Sequence, residues 1–296
     1  MYVLQNDLLQ VKIKSIGAEL SSVTSKKNTI EFMWQADSNI WGSHAPNLFP
    51  IIGSLKDDSY IYNNNTYPMT KHGFVRKNED FIVKNSCETN ITFQLNSNDV
   101  LYKMYPFLFE FEISYTLINN TLTINHKVKN TDTKTLYFSV GGHPAFNCPL
   151  YKDEKYTDYS LEFENSETSE SYLLNMETGL VSNKTKTVFI NENEIKLHGD
   201  LFNEDALIFK DLKSRKVILK HKSKGPIISV NFKDFPFLGI WAKQNAPYIC
   251  IEPWLGIADS ETTDKKIENK EGIVALNVNE IFNASYSIEI DKRHLV

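Results

Sequence analysis

Several things are scarce in this chain of 296 residues, and each scarcity excludes something. Cysteine occurs three times, as Cys87, Cys148 and Cys250, an odd number with no CxxC pair. No disulfide framework is expected, and the thiols read as reduced residues of a cytoplasmic protein. With only 12 glycines and 10 prolines, collagen-like and low-complexity readings fail. An excess of positive charge is also missing: 32 basic against 37 acidic side chains leave a formal charge of −5, and no Lys/Arg stripe is present. Nucleic acid is therefore not an expected partner. No apolar run approaches the roughly 18 residues needed to cross a bilayer, so no membrane partner is expected. The start, Met1 to Asp7, lacks a basic stretch followed by an apolar one, and no signal peptide is expected.

Arginine is the scarcest charged residue. Arg76, Arg215 and Arg293 are the only three beside 29 lysines. Where lysine is this dominant, an arginine can be present for its fork of donors, which lysine cannot copy. That points first at Arg76.

What is abundant is alternation. An apolar share of 41%, with 18 Phe, 14 Tyr and 4 Trp, is enough for a large core and excludes wholesale disorder. Leu9, Val11 and Ile13 alternate with Gln10 and Lys12, the period of a half-buried strand. Phe109, Phe111, Ile113, Tyr115 and Leu117 face one way; after the turn signal Asn119-Asn120, Leu122, Ile124, His126 and Val128 resume the pattern. That reads as an antiparallel hairpin. Val217 to Leu219, Ile228 to Val230, Tyr248 to Glu252 and Ala284 to Ile290 continue it, while sustained helical spacing is hard to find. Lys152 to Lys186 is the most polar stretch and reads as a surface excursion between strands. With no fixed-period repeat and no Pro/Gly/Ser linker, residues 1–296 read as a single all-β domain, a sandwich or a heavily curved pair of antiparallel sheets with few short helices.

Four segments interrupt the strands with chemistry. Lys71-His72-Gly73-Phe74-Val75-Arg76 places a His and an Arg within reach of one small polar ligand. In Gly141-Gly142-His143-Pro144-Ala145-Phe146, an apolar strand over Leu136 to Val140 ends in two glycines and a His before Pro. His143 is expected at a strand end with its ring free. Tyr248-Ile249-Cys250-Ile251-Glu252-Pro253-Trp254 is a strand that puts Glu252 on the same apolar face as Tyr248 and Cys250, which is costly unless the carboxyl is paired or used. Asn203 to Phe209 sets Glu204 and Asp205 at the entry of another apolar strand. Each has a plainer reading: His72 and Asp205 as turn residues, His143 as a cap for loose backbone groups. His126 and His221 read as structural. No P-loop, GxSxG elbow or HExxH zinc helix is present.

Taken together, His72-Gly73-Phe74, Gly141 to Phe146, Ile251-Glu252-Pro253-Trp254 and Gly256-Ile257-Ala258-Asp259 resemble the aldose 1-epimerase (galactose mutarotase) family, nearest its LacX-like branch. The resemblance runs from the first strand through Phe282. It implies a large antiparallel β-supersandwich and interconversion of the α and β anomers of an aldose, with a small sugar as partner, no cofactor and no metal, in a monomer or homodimer. It implies catalytic roles for Glu252 as general base and His143 as general acid, and substrate-binding roles for His72, Arg76 and Asp205. One departure stands out. After Phe49-Pro50-Ile51-Ile52-Gly53 the branch often has arginine, and here it is Ser54. This weakens a hexose-phosphate substrate, although Lys56, Lys71 and Lys243 could supply positive charge.

The chemistry suits the residue types independently. Ring opening removes a proton from the C1 hydroxyl and delivers one to the ring oxygen; closure from the other face reverses both transfers. A carboxylate and an imidazole can exchange these roles near neutral pH. Three rivals remain: a non-catalytic sugar-binding protein, a zinc hydrolase using His72, His143 and Glu252, and a glycosidase using Glu252 and Asp205.

Overall fold

The computed structural model describes residues 1–296. Fifteen strands join in one antiparallel sheet. Its path starts at Asn47–Leu48, passes through Val140–Gly142, Tyr248–Leu255, Phe237–Trp241 and Leu207–Phe209, and ends at Asn90–Asn96 and Ile82–Ser86. A three-stranded sheet forms from Tyr2–Gln5, Leu9–Ile13 and Leu20–Ser25. The one α-helix, Asp99–Met104, is six residues long and starts where Asn98 Oδ1 accepts from Val100 and Leu101 N–H.

The alternation in the sequence becomes burial. Along Thr121–Asn130 every second residue is buried, and the partner strand Phe109–Ile118 pairs in register from Ile118 opposite Thr121. A sheet this long must curl to close its core. The two ends of the path meet: Phe49, just after the first edge strand, stacks on Phe111 with ring centroids 4.5 Å apart, and Asn47 donates to Tyr115 Oη at 3.2 Å. His126 fills the space between these layers, its Nε2 3.0 Å from Asn47 Oδ1, which is the structural role expected of it. A cluster of 70 buried residues runs from Leu4 to Leu295. Each fully buried Ile, Leu or Phe in it contributes about 1.5–3 kcal/mol.

Two expectations need correction. The polar Lys152 to Lys186 region is not an irregular excursion; it holds most of a hairpin of two strands, Tyr159–Leu174 and Val181–Lys196. The returning strand buries little besides Val181, Phe189 and Ile195, and repeated register shifts break the period-2 signal. Leu136 to Val140 is two strands rather than one. Leu136–Phe138 pairs with Val274–Leu276, and the chain crosses at Ser139, whose N–H donates to Pro50 O at 2.7 Å, before Val140–Gly142 enters the large sheet.

Candidate active site

The large sheet positions both candidate catalytic side chains. Glu252 stands at the middle of Tyr248–Leu255, opposite Gly239, and projects from the same face as Cys250. His143 occupies the gap between the strands Val140–Gly142 and Ala145–Asn147, both of which pair with Tyr248–Leu255. Its N–H donates to Pro46 O at 3.1 Å, and that turn swings the ring over the neighbouring strand. The close approach requires Gly141, because a Cβ there would lie 2.6 Å from Pro253 O. His143 Nε2 lies 3.1 Å from Glu252 Oε2 as a result. The free ring expected from the sequence is instead boxed: Trp41 stacks on it at 5.0 Å, and Trp241 and His72 meet it edge-on at 5.9 and 5.7 Å.

His72 enters from a different layer. It has a left-handed backbone (φ 66°), and its Nδ1 accepts from Gly53 N–H at 3.1 Å. This bond fixes the tautomer: the proton sits on Nε2, which can donate. Gly53 itself is left-handed (φ 70°), and a Cβ on it would collide with Ala258 at 2.4 Å, so glycine is required to present that N–H.

These groups surround a cavity of about 190 Å³ that also takes in Lys71, Arg76 and Asp205. That size suits one sugar ring better than a longer ligand. All five predicted site residues therefore meet in one cavity, as do Trp41, Trp241 and Trp254. The sequence reading assigned no tryptophan to the site, since nothing about a tryptophan's neighbours in sequence says that it faces a cavity. It also missed Leu174 and Gly179, contributed by the end of the polar hairpin. Val181 N–H donates to Asp259 O at 2.8 Å and Asn175 Nδ2 to Glu261 Oε1 at 2.7 Å, holding that turn at the rim. Asp205 serves both of its readings. It has φ 68° and its Oδ1 accepts from Ala206 N–H, yet it faces the cavity.

Burial dominates the electrostatics. It pushes Glu252 well above the usual carboxylate range; Lys71 pulls the other way, Asp205 adds to the rise, and the nearby Trp254 indole favours the carboxylate. Burial also drives the His143 imidazole down to about 3, with Lys71 and Arg76 adding to the fall. His72 is held well below its ordinary value by burial, then by His143, Lys71 and Arg76. Glu252 Oε2, Trp254 Nε1 and His143 Nδ1 are buried without a hydrogen-bond partner, so the His143–Glu252 contact is close but not aligned. Unsatisfied polar atoms converging on one cavity mark a place for a polar ligand. For a metal, the compact donor set is His143, Cys250 and Glu252, with His72 outside it.

Among the cations, Lys56 Nζ donates to Glu261 O and Lys243 Nζ to Ile40 O. Lys71 and Arg76 make no ion pair and border the cavity. Ser54 is buried beneath Gly179.

Comparison with known proteins agrees with this architecture. Residues 1–288 match the aldose 1-epimerase family. The chromosomally encoded protein LacX of Lactococcus lactis subsp. lactis is 37% identical over 295 residues, covering 97% of this chain and 98% of its own. The structure of a galactose mutarotase related enzyme from Lactobacillus acidophilus superposes with a TM-score of 0.92 at 40% identity, covering 98% of this chain and 97% of its own. A galactose mutarotase-like protein from Lactobacillus casei gives 0.91 at 29% identity, covering 98% and 100%. This chain belongs to the aldose 1-epimerase family.

Proposed function

We propose that this protein is a mutarotase, interconverting the α and β anomers of a hexose by acid–base opening and closure of the pyranose ring. The observation that carries the reading is the His143–Glu252 pair, 3.1 Å apart in a cavity of monosaccharide size with a carboxyl oxygen left unpartnered. The pair holds one proton. Glu252 as acid beside neutral His143, and carboxylate beside imidazolium, are two arrangements of the same atoms and the same charge. Burial favours the neutral arrangement. A C1 hydroxyl donating to Oε2, together with the Trp254 indole, favours the charged one. Glu252 then takes the C1 hydroxyl proton while His143 gives its proton to the ring oxygen. After rotation about C1–C2 the ring closes on the other face and both protons return. No net exchange with water is needed.

The other residues bind and orient. His72, neutral with its proton on Nε2, donates to a sugar oxygen near the reacting centre. Asp205 accepts from a hydroxyl, Arg76 forks onto two oxygens, and the tryptophans cover the apolar faces of the ring. One positioned acid and one base each supply about 10² to 10⁴-fold, roughly 3 to 5 kcal/mol.

Nuclear magnetic resonance of freshly dissolved α-D-galactose and α-D-glucose, with and without protein, tests the proposal. Faster approach to the anomeric equilibrium supports it. Binding of hexose with no change in rate would replace it with a sugar-binding role. A second substrate reading, a phosphorylated hexose, draws on Lys71 and Arg76, which face the cavity with no carboxylate partner; the same assay on a hexose phosphate separates the two.

A further inference from the structure

Cys250 has no part in the reaction just described, yet its thiol stands beside both proton-transfer groups. It precedes Glu252 by two residues on Tyr248–Leu255, so the two side chains leave the same face of the sheet. Ala145 is its partner across the ladder, and His143 lies two residues before Ala145. One ligand atom each from His143, Cys250 and Glu252 lies within 4.8 Å of the other two, and all three residues are buried.

Imidazole nitrogen, sulfur and carboxylate oxygen are the donor mix of a zinc-type cation, not the all-oxygen shell of calcium or magnesium. Tetrahedral ions hold such donors at about 2.0–2.3 Å, so a modest inward movement of side chains closes the set; His143 and Glu252 line the cavity, with Cys250 buried beside them. A second observation points the same way. Glu252 Oε2 is buried with no hydrogen-bond partner, an acceptor with nothing bound to it.

We propose that His143, Cys250 and Glu252 form a site for a thiophilic divalent cation of the zinc and cadmium class, entering from the cavity, and that such a cation is a reversible inhibitor. It takes the place of the thiol proton and of the single proton that the His143–Glu252 pair shares, and both protons pass to solvent. With His143 and Glu252 held as ligands, neither can move a proton to or from a sugar. The site differs from that of a resident metal in its outer contacts. A permanent metal-bound imidazole donates its second N–H to a partner, whereas His143 Nδ1 has none. Binding stands independently of the mutarotase reading; inhibition rests on it.

The test uses full-length, chelator-treated protein carrying Cys87→Ser, which removes the one exposed thiol. Cadmium chloride is titrated while the ultraviolet cadmium–thiolate charge-transfer band is followed. The band should saturate at one equivalent, persist when Cys148→Ala is added and vanish with Cys250→Ala. Should Cys250→Ala melt abnormally, Glu252→Gln serves instead, with cadmium binding at least about tenfold weaker. In the wild-type protein, zinc should slow anomer interconversion, a chelator should restore it, and Cys250→Ala should need at least about tenfold more zinc for equal inhibition. A missing band, a band that survives loss of Cys250, or equal zinc sensitivity with and without the thiol overturns the proposal. A Cys250-dependent band in a protein with no anomerising activity keeps the cation site and removes the mutarotase reading.

Discussion

Glu252 Oε2 and His143 Nε2 approach to 3.1 Å but are not aligned for a hydrogen bond, so each keeps its capacity for a third party. Two groups that satisfied each other fully would have to be separated before either could touch a substrate. The misalignment leaves them adjacent and available.

Glu252→Gln therefore removes the proposed proton acceptor while preserving shape. The rate of anomer interconversion should fall by about 10² to 10⁴-fold, with hexose affinity changed far less. Rates from polarimetry and affinities from calorimetry check the split. An unchanged rate would exclude Glu252 as the base.

The pH profile follows from a pair that holds one proton. Activity is lost when a second proton is added, on the acid side where His143 titrates near 3, or when the last is removed, on the alkaline side, because Glu252 is pushed well above its ordinary value. The two steps belong to the pair as a unit. kcat/KM should fall toward both extremes, with the alkaline step displaced upward from the ordinary carboxylate range. A single sigmoid centred near pH 6.5 would contradict this.

Stability should respond to acid in a defined window. His126 and His143 are both driven from 6.5 down to about 3 by burial, so each is neutral in the folded protein where the unfolded chain is charged. Between these values the unfolded state binds more protons, and stability falls as pH drops from about 6.5 toward 3. Glu252, raised in the fold, acts in the opposite sense as pH rises above its unfolded value. Denaturant midpoints at pH 7, 5 and 4 should decline, and His126→Gln should shallow the slope if it folds; a midpoint that rises on acidification would refute the sign.

Trp41 is expected to hold the acid in place. His143 Nδ1 bonds to nothing, so the stacked indole at 5.0 Å is the broad contact that fixes the ring plane. Trp41→Ala should lower kcat by about 10²-fold through misplacement of the imidazole, and Trp41→Phe should recover part of it. Histidine ring resonances in the two variants report the orientation directly.

Arg76 and Lys71 discriminate the substrate classes. For a neutral hexose, Arg76→Ala should chiefly raise KM, Arg76→Lys should not restore it, and salt should matter little. For a phosphorylated hexose, Lys71→Ala should also raise KM, and KM should climb with ionic strength.

Much of the sheet was legible because half-buried strands write their burial into every second residue. The Phe109–Ile118 and Thr121–Asn130 hairpin is the example, whereas Tyr248–Leu255 is buried on both faces from Tyr248 through Trp254. The Tyr159–Leu174 and Val181–Lys196 hairpin was not legible, because it is exposed on most of its surface and its bulges shift the register. Unusual neighbours and the family resemblance singled out His143, Glu252, His72, Arg76 and Asp205, and the structure gathers all five around one cavity. The tryptophans were not singled out. Trp41 reaches the cavity only because a turn at Asp37 to Trp41, closed by Trp41 N–H to Asp37 O, carries it there.

The polar hairpin gives the cavity a division of labour. Glu252 stands on a strand paired on both sides, and His143 on the turn between two of that strand's partners. The rim near Leu174 and Gly179 belongs to the far end of that hairpin, tethered through Asn175 and Val181 to the segment after Ala258. Within that turn Gly179 (φ 69°) is constrained, because a Cβ there would lie 2.8 Å from Ser54 Oγ, and Leu180 is buried, whereas Met176, Glu177 and Thr178 are exposed. Substitutions at those three exposed positions are the ones expected to reshape the rim while leaving His143 and Glu252 where they are.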